Sequence, residues 1–139
     1  MSVYRYNRRV SYYVTDKMGI VHHTNHIRFF EEARVNFMYS IGCDVRELEK
    51  KGIFIPNVDA YAKYVKPIKF FDDICVEVKL VKISGAKMQY EYTITLCGTG
   101  KIAATGSTTH CFVHSDMTPV NIKKIDPQFF ENLKNNISE

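Results

Sequence analysis

The chain has 139 residues, 45% of them hydrophobic, and a formal net charge of +4. This size is typical of one domain with a buried core, so we expect a single domain over residues 1–139 and not a disordered chain. The charges are scattered, no apolar run approaches the roughly 20 residues that cross a bilayer, and no nucleic-acid-binding motif is present, so membrane and nucleic-acid partners are not expected.

An opening strand is predicted over residues 4–13, which are rich in Tyr, Val and Arg. The strand pattern stops in residues 14–23, where Gly19 interrupts a stretch without a steady period. This segment is therefore expected to be irregular and to lead into the next element.

A long amphipathic helix follows. Apolar residues recur at steps of three and four positions, at Ile27, Phe30, Ala33, Phe37, Met38 and Ile41. This spacing predicts a helix of about 17 residues that begins at about Thr24. Thr24 or Asn25 is suited to cap its first N–H groups, and Gly42 is suited to end it. A short second helix is predicted over residues 44–51.

Four strands are predicted after Pro56, over residues 59–70, 73–83, 88–96 and 102–114. The breaks between the last three are short enough for hairpins, which implies an antiparallel sheet. Pro127 then begins a short C-terminal helix. The predicted fold class is α+β, with one long central helix wrapped by a five- or six-stranded antiparallel sheet. Such a sheet has an open edge, so we expect a homodimer as the minimum functional unit, or a homotetramer.

The most informative motif lies between Arg9 and His26. It resembles the 4-hydroxybenzoyl-CoA thioesterase-like family of hotdog-fold acyl-CoA thioesterases. The residues that match the family signature are Arg9, Val10, Thr15, Asp16, Gly19, Ile20, Val21, His23 and Asn25. His22 stands where the family usually has Tyr, Trp or Phe, and His26 where it often has Tyr. Weaker matches extend the resemblance over about residues 7–114, at Tyr64, Pro67, Phe71, Asp72, Asp73, Gly106, His110 and Phe112.

The resemblance implies a hotdog fold and an enzyme that hydrolyses an acyl-CoA substrate to a free acid and coenzyme A without a cofactor. Thioester hydrolysis needs a nucleophile or a base that activates water, and donors for the charge that develops on the carbonyl oxygen. Asp16 is predicted to be the nucleophile or general base, because the apolar Met18, Ile20 and Val21 would limit its hydration. The alternative for Asp16 is a plain turn residue.

The start of the long helix is the predicted oxyanion hole. Its first N–H groups lack partners within the helix, and the positive end of the helix dipole lies there. By resemblance, the main chain of His23 is the oxyanion donor, and Gly19 lets the backbone approach the substrate. The remaining candidates for substrate binding are Val21, His22, Asn25, His26 and Lys66. Lys66, with Lys63 and Lys69, is a candidate for the phosphates of coenzyme A, although a solvated strand face explains these lysines equally well.

Two other interpretations of polar residues near the start of the long helix are open: a metal site and a catalytic glutamate. His22, His23 and His26 are spaced for a metal ion, but the Glu of an H-E-x-x-H motif is missing and no further ligand is identifiable, so no metal is expected. Glu31 and Arg34 are expected to form an ion pair that braces the helix. Since some hotdog thioesterases carry a catalytic Glu on this helix, Glu31 and Glu32 are the fallback for Asp16.

The four cysteines are widely spaced and the N-terminus has no secretory signal, so free thiols and a cytoplasmic location are expected. The main alternative to an enzyme is a non-catalytic hotdog module that binds acyl thioesters or an acyl-carrier protein, an acidic partner that the mildly basic surface would suit. An enoyl-CoA hydratase is disfavoured, because the Asp and His pattern that it needs is absent.

Overall fold

The structure is a computed structural model that describes residues 3–138. Its strands are β1 (Tyr4–Arg9), β2 (Ile53–Phe54), β3 (Asn57–Tyr64), β4 (Asp73–Ile83), β5 (Lys87–Leu96), β6 (Lys101–Cys111) and β7 (Val113–His114). Its helices are α1 (Thr24–Ser40), α2 (Val45–Lys50), α3 (Ile122–Ile125) and α4 (Pro127–Lys134), with a 3-10 turn at Tyr12–Val14. None of the helices in this part of the chain is long and apolar enough to span a bilayer.

One antiparallel sheet carries the fold. Its five strands lie in the order β1-β4-β5-β6-β3, and β2 and β7 form a separate pair. Alternate residues of β4 and β5 are buried against the core, while their neighbours face outward. Helix α1 packs against β1, β3 and β4 of this sheet, so the predicted α+β architecture of one long helix with an antiparallel sheet around it is confirmed.

The long helix has the predicted bounds, because its apolar period and its stop signal agree. Phe29, Phe30, Ala33, Phe37 and Met38 are buried against the sheet. Gly42 follows the last turn at φ +82°, a left-handed conformation that glycine adopts without steric cost. The start of the helix differs from the prediction, since the N-cap residue is His23 and no side chain caps the first turn.

Helix α1 packs closely against the sheet at Gly106 of β6, which has no side chain. The Phe30 ring stacks on the Tyr92 ring with centroids 4.4 Å apart. A Cβ on Gly106 would lie 2.4 Å from the Phe30 ring and 2.4 Å from the Tyr61 carbonyl oxygen. Gly106 therefore allows the helix to approach the sheet closely at this point.

The predicted opening strand is too long. Val10 leaves the sheet and pairs with the loop before β4, because its N–H donates to the Asp72 carbonyl and its carbonyl accepts from the Phe71 N–H. The strand predicted over residues 59–70 likewise ends at Tyr64.

The elements β2 and α3 were not predicted, since two and four residues are too few to show a period. The C-terminal helix begins at Pro127 as predicted, and Asp126 caps it by accepting from the Phe129 N–H.

Candidate active site

Asp16 occupies a tight turn between the first strand and α1. Its N–H donates to the Ile20 carbonyl over 2.9 Å, and its carbonyl accepts from the Gly19 N–H over 3.0 Å. The Asp16 Oδ1 atom accepts from the Met18 N–H over 2.8 Å. Gly19 closes the turn at φ +77°, which favours glycine. The carboxylate is therefore held by its own turn with one oxygen left for other partners.

The predicted shielding of Asp16 by Met18 is wrong, since the Met18 side chain is 78% exposed. Asp16 itself is half-buried. The apolar neighbours that do lie beside it are Ile20 and the buried Val21. These two side chains belong to the wall of the cavity that Asp16 borders, so they are the residues that limit its contact with water.

A cavity of about 360 Å³ brings several of the predicted site residues together. The predicted residues that border it are Asp16, Val21, His23, His26 and Lys66. Three of the predicted substrate-binding residues, Gly19, His22 and Asn25, do not border it. The carboxylate of Asp16 thus shares one cavity with the residue at the N-terminus of α1.

Backbone hydrogen bonds fix the segment that leads into α1. The Val21 N–H donates to the Ile68 carbonyl over 2.7 Å, and the His22 N–H donates to the Val14 carbonyl over 2.9 Å. The buried Asn25 side chain also donates to the Val14 carbonyl, over 3.0 Å. Asn25 therefore ties the first turn of the helix to the 3-10 turn, instead of capping the helix.

The start of α1 presents a free backbone donor. Within residues 3–138 the His23 N–H donates to no other group. The next amide, of Thr24, faces the His22 Nδ1 atom at 3.3 Å, and that nitrogen also lies 2.8 Å from the Thr24 hydroxyl. An unpaired N–H at the positive end of a helix dipole is suited to an anionic oxygen.

Tyr64 is a site residue that the sequence did not identify. Its hydroxyl donates to the His23 carbonyl over 3.0 Å, and its ring borders the cavity. The ring also packs edge-on against His26, with centroids 4.6 Å apart. The two residues of the hydrogen bond are 41 positions apart. No local pattern could have joined them, although Tyr64 was one of the weaker matches to the family signature.

The three neighbouring histidines have different environments. His26 is buried, its Nδ1 atom lies 3.3 Å from the His23 carbonyl oxygen, and burial lowers the pKa of its imidazole. His26 is therefore neutral at pH 7. The rings of His22 and His23 are 4.1 Å apart. No group of three or more His, Cys, Asp or Glu side chains that could hold a metal ion occurs in the described part of the chain.

The helix carboxylates lie outside this cavity. Glu32 forms an ion pair with Arg8 and accepts from the Tyr6 hydroxyl over 3.1 Å. The predicted ion pair between Glu31 and Arg34 is wrong: Arg34 donates to the Tyr92 hydroxyl instead, while Glu31 is exposed. Neither Glu31 nor Glu32 borders the cavity of Asp16.

Comparisons with known proteins agree with one another. The model of a protein family described as the thioesterase-like superfamily matches residues 10–133. A solved structure, a DHNA-CoA thioesterase from Staphylococcus aureus, superposes with a TM-score of 0.93 at 29% identity, over 97% of this chain and 91% of that chain.

Two curated proteins are also similar. One, from Bacillus subtilis, carries the name "Putative acyl-CoA thioesterase YneP" and is 28% identical over 130 residues, which are 93% of this chain and 94% of that protein. The other, a 1,4-dihydroxy-2-naphthoyl-CoA hydrolase from Thermosynechococcus vestitus, is 25% identical over 118 residues, which are 83% of this chain and 81% of that protein.

Proposed function

This chain belongs to the thioesterase-like superfamily, and from that membership we propose that it is an acyl-CoA thioesterase, which hydrolyses a thioester to a free acid and coenzyme A. The family match confirms the predicted resemblance, and the similar proteins named as thioesterases confirm the predicted enzyme class. Two of the similar proteins are named for acyl-CoA substrates with an aromatic acyl group. The observation that carries the proposal is that Asp16 and the N-terminus of α1 border one cavity.

The proposed reaction places the thioester between these two groups. Asp16 either attacks the carbonyl carbon or removes a proton from a water that attacks it. The carbonyl oxygen becomes negative and accepts a hydrogen bond from the His23 N–H. The positive end of the helix dipole strengthens this interaction. The C–S bond then breaks, and the thiolate of coenzyme A leaves and takes up a proton. If Asp16 is the nucleophile, water hydrolyses the resulting anhydride in a second step.

Two hydrogen bonds support the donor role of the helix start. The His22 carbonyl accepts from the Asn25 N–H over 2.9 Å, which polarises the peptide group that carries the His23 N–H. The Tyr64 hydroxyl acts in the same way on the His23 carbonyl, whose peptide group carries the Thr24 N–H. The peptide groups on both sides of His23 are thus fixed by hydrogen bonds of their own, and an N–H that is positioned before the substrate binds is suited to stabilise a developing oxyanion.

The proposed substrate enters with its carrier outside the cavity. Lys66 is exposed at the border, and Lys63 and Lys69 are exposed on the adjoining segment, so they are placed to meet the phosphates of coenzyme A. An acyl-carrier protein, whose acidic surface these lysines would also suit, is the alternative carrier.

The proposed functional unit is a homodimer that pairs through β3. This strand lies at an edge of the sheet, and it exposes Val58, Tyr61 and Tyr64. An exposed edge strand with apolar side chains is suited to pairing with another strand. Because Tyr64 ends β3 and borders the cavity, a partner at this edge would lie close to the site.

Hydrolysis of a panel of aromatic and aliphatic acyl-CoAs, followed by detection of the released thiol, tests the function. We expect turnover by the wild type and a loss of about 10²- to 10⁴-fold in Asp16→Asn, the usual contribution of a positioned base. A panel of acyl-carrier-protein thioesters would distinguish the two carriers.

A matched control is available in Asp116→Asn. The Asp116 Oδ1 atom accepts from the N–H two residues later, as that of Asp16 does, but Asp116 does not border the cavity. This variant should keep wild-type turnover. It shows whether the same Asp→Asn change in a similar turn, away from the cavity, affects activity. Turnover by Asp16→Asn within a few-fold of the wild type would remove Asp16 from its proposed role.

A further inference from the structure

A second cavity, of about 150 Å³, lies on another side of α1. It is enclosed by α1, α2, the segment at residues 53–55 and Met88 of β5. It shares no lining residue with the cavity of Asp16. Arg34, which borders it, lies ten residues after Thr24, or roughly 15 Å along the helix axis from the proposed oxyanion hole. The two cavities are therefore separate.

Arg34 is a buried cation without an anionic partner. Its side chain is 8% exposed. Its one hydrogen bond within residues 3–138 runs from Nη1 to the neutral Tyr92 hydroxyl, over 3.3 Å. A guanidinium carries five N–H donors and a charge that it does not lose in proteins. Burial of such a group is costly unless an anion pairs with it.

The buried polar groups that are linked to Arg34 through Tyr92 supply no negative charge. The Tyr92 hydroxyl lies 2.6 Å from the Thr108 hydroxyl, which lies 2.8 Å from the His110 Nε2 atom. Burial, with a smaller effect of the Arg34 charge, lowers the pKa of His110 to about 3, so this histidine is neutral at pH 7. The network is a chain of neutral groups, and the charge of Arg34 has no counterpart on this side.

The nearby carboxylates do not neutralise Arg34 either. Glu31 and Glu49 border the same cavity, but both are exposed and neither forms an ion pair with Arg34 in the described part of the chain. Water and salt screen such exposed charges. The other carboxylate of α1, Glu32, does not border this cavity and is already paired with Arg8. The guanidinium is therefore open toward the cavity.

The walls of the cavity define what else an occupant must have. Apart from Arg34 and the two glutamates, the lining is apolar: Val35, Met38, Val45, Ile53, Phe54, Ile55 and Met88. A cavity of roughly 150 Å³ with apolar walls holds one benzene ring. An occupant that satisfies both the guanidinium and the walls is a small anion with an apolar body.

We infer that this cavity binds a small monocarboxylate, no larger than benzoate, whose carboxylate pairs with the Arg34 guanidinium. The planar guanidinium can donate two parallel hydrogen bonds to such a group. The apolar body of the ligand would lie against Met38, Ile53 and Met88. Acids of this class are also what the proposed reaction releases, but binding at Arg34 does not depend on that reaction.

Calorimetric titration of the protein with benzoate and with benzamide tests the inference, because the two probes have similar shapes and only benzoate is charged. We expect saturable binding of one benzoate per chain, at least tenfold tighter than benzamide. Asp16→Asn should bind benzoate as the wild type does, which separates this site from the proposed active site. Equal affinities for the two probes, or no binding of benzoate, would overturn the inference.

Three variants locate the binding. Arg34→Met, which keeps the length of the apolar stem, should lose benzoate binding, and Arg28→Met, at an exposed position of the same helix, should retain it. Val35→Trp provides a test that leaves Arg34 in place, since Val35 is 37% exposed at the rim and a large ring there would close the cavity. Unchanged binding in Arg34→Met or Val35→Trp would contradict the inference. A third result would also contradict the inference: no benzoate binding to the wild type, together with dissociation of the oligomer in Arg34→Met. The anion that pairs with Arg34 would then be a carboxylate of the partner subunit.

Discussion

At the scale of single residues, the sequence predicts only candidate site residues that are local in the chain, and their roles stay predictions. Asp16, Gly19 and His23 lie within one short motif, so their spacing carries the information. The role of Tyr64 could not be predicted, because the hydrogen bond to His23 forms only after the edge strand has been placed beside α1. The expected ion pair of Arg34 fails for a related reason: the i,i+3 spacing favours Glu31, but in the folded chain Arg34 donates to Tyr92, which is 58 positions away in sequence.

Tyr64→Phe tests whether the hydrogen bond to His23 positions the oxyanion donor. A single hydrogen bond is worth roughly 0.5–1.5 kcal/mol, so we expect kcat to fall by about 2- to 10-fold with little change in KM. Tyr61→Phe, on the same exposed strand but without a bond to His23, should keep the wild-type kcat. Steady-state kinetics with one acyl-CoA would decide, and an unchanged kcat in Tyr64→Phe would show that the hydroxyl has no positioning role.

At the scale of elements, long periodic segments were predictable and short ones were not. The bounds of α1 agreed because its apolar period and Gly42 give the same end. The strand of residues 4–13 was overextended, since Tyr and Val favour a strand even where Val10 pairs with a loop. The two-residue strand β2 shows no period of its own, and its pairing with β7 is a tertiary contact.

Gly106→Ala tests the close packing of α1 against the sheet. The added methyl group would overlap both the Phe30 ring and the Tyr61 carbonyl, and the latter belongs to the backbone and cannot rotate away. Overpacking of this kind costs about 1–3 kcal/mol, so we expect a lower urea midpoint with an unchanged m-value. Ser107→Ala, one residue further along β6, is the control and should unfold near the wild-type midpoint. Equal midpoints for Gly106→Ala and the wild type would mean that the sheet adjusts without cost.

At the scale of the whole molecule, the sequence predicts the architecture, because α+β order and antiparallel hairpins leave few alternatives. It does not predict which edge is open, since that depends on the strand order. The order places β1 and β3 at the edges, and β3 adjoins the proposed site. The oligomeric prediction therefore becomes specific only with the structure.

Val58→Lys tests the proposed pairing of β3. Sedimentation velocity should show a dimer, or a larger assembly of dimers, for the wild type, and a shift toward monomer for this variant, because a lysine on an edge strand disfavours pairing with another strand. Ile125→Lys is a matched control, since Val58 and Ile125 are both 50% exposed and Ile125 lies on α3. A monomeric wild type, or identical sedimentation of both variants, would contradict pairing through β3.

The most direct test is a crystal structure of the wild type with an acyl-CoA analogue in which a methylene group replaces the thioester sulfur, since this ketone keeps the carbonyl and cannot be hydrolysed. We predict the carbonyl oxygen within about 2.7–3.1 Å of the His23 amide nitrogen, with the Asp16 carboxylate on the carbonyl carbon at about 3–3.5 Å or bridged to it by one water. An acyl group bound elsewhere, with its carbonyl out of reach of both His23 and Asp16, would contradict the proposed mechanism.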